Sequence, residues 1–211
     1  SENTLMEELL SLPDVISASL NYKSELMSDS ASFIPDDPMY PRQWGLKAIR
    51  ASQVWNITSG DPNVYVAVID SGVDYNHVDL IKFFDHAHSK NFYGGLTQDS
   101  YSDENGHGTH VAGIIGAQGN NNIGVTGVSW RTNIISLRVF GYEGGNDLSN
   151  IGTNLVVQAI NHILEILENN PEKRIVVNLS LGVFRKQSPE EMIRDNDPYY
   201  VAFAAGNGDN K

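Results

Sequence analysis

Four short, nearly continuous apolar runs punctuate the chain: VYVAVID at 64–70, NIISLRVF at 133–140, RIVVNLSL at 174–181 and YYVAFAAG at 199–206. Apolar runs of this length without alternation predict strands buried on both faces, as in a parallel sheet covered by helices. Between the runs the period changes. In NLVVQAINHILEILENN, 154–170, apolar residues recur at i, i+3, i+4 and i+7 opposite a charged side, predicting an amphipathic helix. HGTHVAGIIGAQ, 107–118, reads as a second helix. Alternation of buried strands and helices predicts an α/β fold with a mostly parallel central sheet and helices on both faces.

The first 32 residues follow another pattern. Leu5, Met6, Leu9, Leu10 and Leu12 have helical spacing up to Pro13-Asp14, and Ile16, Ala18, Leu20 and Tyr22 then alternate with polar residues as in a half-buried strand. The next stretch, KSELMSDSASFIPDDP, has neither period and reads as a linker. Two regions are expected: 1–32, a helix, strand and linker, and 33–211, the α/β domain.

Composition narrows the functions available. At 211 residues with 40% hydrophobic side chains, the chain is long enough for one main domain with a sizeable core. There are no cysteines, which excludes disulfides, thiolate metal ligands and a cysteine nucleophile without fixing a compartment. A formal charge of −12 argues against nucleic acid or an anionic membrane as partner and is compatible with bound cations, although surplus carboxylates also serve simply to keep a surface soluble. No apolar run has bilayer-spanning length.

In open α/β sheets, functional groups gather where strands end at their carboxyl termini. Asp70 ends the first apolar run and precedes Ser71-Gly72; His107 stands at a helix entrance; Asn207 follows the last run. Each alone has an ordinary structural reading, as a turn cap for Asp70 and Asn207 and as a loop residue for His107. The pair His107 and His110 lacks the i,i+4 spacing and intervening glutamate of a helical zinc site. DHAH, 85–88, reads as a polar surface loop.

Taken together, VAVIDSGVD at 66–74, NGHGTHVAG at 105–113, NLSLG at 178–182 and AAGN at 204–207 resemble, in order, the motifs of the subtilisin-like serine proteases. The similarity runs from about Asp37 to Lys211, and the Asp and His blocks are its most specific parts. The resemblance implies a serine endopeptidase with protein or peptide substrates, in which Asp70 orients His107, His107 is the base, and the Asn207 amide supports the oxyanion. It makes His110 a packing residue, and the glycines flanking His107 clearance for the turn and for an approaching substrate. Ser180, Leu181 and Gly182 would line the primary specificity pocket, where Val183 replaces a common glycine, while Gly144, Gly145 and Asn146 would pair with an extended peptide.

The same resemblance implies structural calcium, which takes six to eight oxygen ligands. Its ligands would be Asp37, Asp79, the Asn121 side chain and the carbonyls of Gly119, Ile123 and Val125; an Asn-Gly turn is the plain alternative for that loop. Asp99 and Asp103 are candidates for a second site. Residues 1–32 resemble the last helix and strand of a propeptide, which implies a zymogen, a partnership with its own propeptide, cleavage within 26–33, and a secreted or cell-surface enzyme. The family's nucleophilic serine follows the oxyanion asparagine in a Gly-Thr-Ser segment, which does not occur between Asn207 and Lys211. The expectation is therefore a chain incomplete at its C-terminus and inactive by itself. The rival reading is a non-catalytic, protease-like peptide-binding module.

Overall fold

In a computed structural model of the chain, the residues described are 32–94, 97, 99–141 and 154–181, with the backbone of Thr153 and 200–203. The chain divides between Ala31 and Ser32, and everything described lies in the second unit. The helix and strand expected within 1–32 therefore fall outside the described residues.

Among the described residues, five strands form one parallel sheet: β1 (Val64–Asp70), β2 (Lys90–Asn91), β3 (Asn133–Arg138), β4 (Arg174–Leu179) and β5 (Tyr200–Phe203), in the order β2-β3-β1-β4-β5. The helices are α1 (Trp44–Ala48), α2 (Ala51–Val54), α3 (His107–Gly116) and α4 (Thr153–Asn169). All four apolar runs contain a strand, and the helices expected within 107–118 and 154–170 are present.

Pleating divides each strand between two layers. Ala67, Ile69, Ile135, Leu137, Ile175, Val177 and Leu179 face one side, where Val156, Ala159, Ile160, Ile163, Ile166 and Leu167 of α4 cover them. Val66, Val68 and Ile134 face the other side and meet Ala112 of α3. The sheet thus carries helices on both faces, which is why the runs show no alternation. Each fully buried Ile, Leu or Val contributes about 1.5–3 kcal/mol relative to leaving it exposed.

The two helices dock by different means. α4 presents branched and long side chains, whereas α3 turns Gly108, Ala112 and Gly116, spaced by four, toward the sheet. Small residues let its backbone approach closely: a Cβ on Gly116 would stand 3.1 Å from Ile134 Cδ1. The N-terminal end of α3 is thereby brought against the carboxyl tip of β1. A separate aromatic cluster of Trp55, Trp130, Phe33 and Tyr40 packs with Leu46 and Ala51, and the Trp55 indole N–H donates to the Val128 carbonyl at 2.9 Å.

Candidate active site

Asp70 is the last residue of β1 and His107 the first of α3, so the contact between strand tip and helix entrance brings together residues 37 apart in sequence. His107 Nδ1 lies 2.8 Å from Asp70 Oδ1. The Asp70 side chain is only 2% exposed, while the His107 ring is 48% exposed. A carboxylate accepting from Nδ1–H fixes the tautomer that leaves Nε2 with its lone pair. The pair therefore joins a shielded acceptor to an accessible base.

Asp70 Oδ1 also accepts the Ser71 N–H at 2.7 Å, and Asp70 Oδ2 is buried without a hydrogen-bond partner among the described residues. Burial pushes the Asp70 carboxyl above its ordinary value, against the hydrogen bonds from His107 and Ser71, which pull it down.

The helix entrance is held by Asp103. Its Oδ1 accepts from Ser71 Oγ at 2.9 Å, Asn105 N at 2.9 Å and Gly106 N at 3.0 Å; its Oδ2 accepts from Thr109 N at 2.9 Å and Thr109 Oγ1 at 2.6 Å. Ser71 Oγ in turn accepts the Gly108 N–H at 3.0 Å. These bonds satisfy N–H groups that a helix start leaves unpaired. Burial would raise the Asp103 carboxyl, but the hydrogen bonds from Thr109, Gly106 and Asn105 outweigh it and hold the group below its ordinary value. Both Asp103 oxygens are thus occupied by donors, and the residue caps the helix entrance.

Two readings of the histidine motif change. Gly108 gives clearance to the protein itself, because a Cβ there would overlap the Gly72 carbonyl oxygen and stand 3.1 Å from Asp70 Cβ and Oδ1. Gly106, at φ +94°, takes a left-handed conformation that side chains disfavour, with open space around it. His110 is exposed, one turn along α3 from His107, and is not a packing residue within the described structure. In DHAH, the 2.7 Å contact between His88 Nδ1 and Asp85 Oδ2 pairs the two residues with each other in a largely buried position.

The loop at 119–125 does meet its distant aspartates. Asp37 and Asp79 are each 2% exposed. Asp37 Oδ2 accepts from Asn120 N and Thr126 Oγ1, both at 2.7 Å; Asp79 accepts from Asn121 Nδ2 at 2.9 Å and Val125 N at 3.0 Å. Asn121 Oδ1 accepts the Ile123 N–H at 2.9 Å. Asp37, Asp79, Asn121 and Val125 are thus one cluster, with Gly119 and Ile123 on the same loop. No salt bridge reaches either carboxylate among the described residues.

Ser180 directly follows β4, where its Oγ accepts from Asn178 Nδ2 at 2.9 Å, and Leu181 packs against the core under α4. Gly182, Gly144, Gly145, Asn146 and Asn207 lie outside the described residues. Sequence reading overlooked Ser71 and the capping role of Asp103. An aspartate four residues before a helix-entrance histidine, with Asn-Gly between, is the signal that could have found the cap.

Comparison with known proteins agrees with this geometry. A thermophilic serine proteinase of Bacillus sp. (strain AK1) is 35% identical over 158 residues, 72% of this chain and 35% of that protein. A halolysin-like extracellular serine protease, Nep, of Natrialba magadii is 33% identical over 60% of this chain and 25% of its own length. The major intracellular serine protease of Bacillus subtilis is 34% identical over 65% of this chain and 40% of that protein. The solved structure of sphericase superposes with a TM-score of 0.58 at 26% identity, over 71% of this chain and 48% of that one. This chain therefore spans a quarter to a half of the length of these four proteins. The family model described as "Subtilase family" matches residues 61–211, containing the strand tip, the helix entrance and the Asn-rich loop, and the chain belongs to that family.

Proposed function

We propose that this chain is part of a serine endopeptidase in which Asp70 and His107 are two members of an Asp-His-Ser triad. The observation that carries the reading is the 2.8 Å contact between a buried carboxylate and a half-exposed imidazole. A serine hydroxyl is a weak nucleophile until a base removes its proton. His107 Nε2 takes that proton as the oxygen attacks the scissile carbonyl, then gives it to the leaving amine. Asp70 holds the ring and stabilises the imidazolium, keeping its own charge throughout. The serine comes from the remainder of the protein.

By the family resemblance, Asn207 donates to the developing oxyanion, and Ser180, Leu181 and Gly182 together with Gly144, Gly145 and Asn146 receive the peptide. Calcium fits the second cluster: two buried carboxylates, without a cationic partner among the described residues and beside a carbonyl-rich loop, form a donor set of hard oxygens. Asp37, Asp79, Asn121 and the carbonyls of Gly119, Ile123 and Val125 would hold the ion, with the Asn121 amide turned to present its oxygen. Its contribution is structural, fixing the loop that follows α3.

Residues 1–32 are proposed to be the end of a propeptide, and the protein to act outside the cytoplasm, as the Natrialba relative does by name; recovery of the mature protein only from the cytoplasmic fraction would overturn that placement. Catalysis is tested by hydrolysis of a chromogenic peptide by the full-length protein. Asp70→Asn is expected to lower kcat about 10⁴-fold, a magnitude taken from the same role in other serine-protease triads rather than worked from this chain. A peptide bound without turnover by the unaltered full-length protein would favour the binding module instead.

A further inference from the structure

Arg138 is the only nearly fully buried positive charge among the described residues, with a side chain 2% exposed. It is the last residue of β3 and stands in register with Asp70, the last residue of β1. Register partners in a parallel pair project from the same face, here the face that α3 covers. A guanidinium in this position needs an acceptor for each arm of its fork. Nε donates to the Phe140 carbonyl at 2.9 Å, Nη1 to the carbonyls of Ser102 at 2.8 Å and Ser100 at 3.2 Å, and Nη2 to Glu104 Oε2 at 2.7 Å.

Three of these acceptors belong to one short segment, 100–104, which runs directly into the helix entrance and His107. The same segment is tied at Tyr101, whose carbonyl accepts from Val73 N at 3.2 Å and Ser136 Oγ at 3.1 Å. Arg138 thus bridges the strand beside Asp70 to the loop that delivers its partner.

We propose that Arg138 is a positioning residue that sets the distance between Asp70 and His107 by fixing the 100–104 loop, without touching the reacting atoms. The inference rests on the catalytic reading of the Asp70–His107 pair. Lysine preserves the charge but has no fork to reach both carbonyls and Glu104, so Arg138→Lys rescues only in part. Glu104 is 54% exposed, and its removal opens the loop end of the bridge without emptying the core.

The test uses the full-length protein and four variants, with peptide hydrolysis resolved into kcat and KM. The low-field Nδ1–H proton resonance of a carboxylate-bound histidine serves as a direct readout of the pair. Glu104→Ala is expected to lower kcat about 10-fold, Arg138→Met about 100-fold and Arg138→Lys by an intermediate factor, each with KM little changed. Misplacing a catalytic group by about 1 Å costs on the order of 10²-fold. The low-field signal should weaken in the same order. Should Arg138→Met not fold, Glu104→Ala and Arg138→Lys decide the matter. Unaltered kcat and an unaltered signal in both overturn the inference. His107→Ala separates the two levels: its inactivity alongside wild-type arginine variants refutes only the positioning role, whereas its full activity refutes the catalytic reading beneath it.

Discussion

Replacing Gly108 by alanine changes one hydrogen into a methyl group and should disable the site from behind. At an ordinary helical position the change stabilises by up to about 1 kcal/mol, since alanine is the better helix former. Here the methyl would overlap the Gly72 carbonyl oxygen and crowd Asp70 at 3.1 Å. Relief requires the end of α3 to retreat from the tip of β1 by roughly 1 Å, the shortfall from an ordinary carbon–oxygen contact. Overpacking of this kind costs about 1–3 kcal/mol. The retreat also stretches the Gly108 N–H bond to Ser71 Oγ, now 3.0 Å, and the His107–Asp70 contact, now 2.8 Å, each with a net contribution of about 1 kcal/mol. The sum is a destabilisation of about 2–4 kcal/mol after the helix gain is subtracted, and a rate loss near 100-fold from the displaced imidazole.

Urea unfolding and kcat/KM of full-length Gly108→Ala measure the two effects. Gly106→Ala is the comparison, because it meets open space and bears only the left-handed strain of about 1–2 kcal/mol. A Gly108→Ala protein as stable and as active as the parent would refute the close approach of helix and strand on which the site depends.

Other outcomes follow from the carboxylates. Asp103 is held below its ordinary value of 3.8, so its contribution to stability is present above that pH and is lost as acid protonates it. Asp103→Asn should flatten the acid limb of a stability–pH curve; an unchanged limb would contradict the cap. Asp70 has the opposite sign: its raised folded value means stability falls as pH rises from 3.8 through that value, and Asp70→Asn should remove this fall while lowering kcat about 10⁴-fold. Calcium in excess should raise Tm by mass action and a chelator lower it, with both responses reduced in Asp79→Asn; a Tm indifferent to millimolar calcium would remove the proposed ion.

The sheet and its two main helices were legible because burial on both faces writes continuous apolar runs and a single amphipathic face writes the 3.6 period. Strand ends were less so. The run at 133–140 is strand only to Arg138, because the N–H groups of Val139 and Phe140 turn to the Asp70 carbonyl, at 2.9 and 3.4 Å. β2 escaped notice altogether: Lys90–Asn91 has no apolar signal and owes its conformation to pairing with β3. α1 and α2 are too short for a period to register.

At the site, Asp70 and His107 stood out through their motifs, but the residues that hold them did not. Ser71 and Arg138 act on groups brought together only by the fold, and no local spacing encodes that meeting, whereas the Asp103 cap is local and signalled only by its place four residues before His107. His110 shows the reverse error. The family resemblance implied packing, whereas the covered stripe of α3 consists of Gly108, Ala112 and Gly116.

The claim that His107 serves as the base for a serine is tested most directly by the rate at which a fluorophosphonate labels the full-length protein, with the modified residue located by mass spectrometry. The account predicts a single labelled serine and labelling that all but disappears in His107→Ala. Equal labelling rates in the parent and in His107→Ala, or an adduct on a residue other than serine, would contradict it.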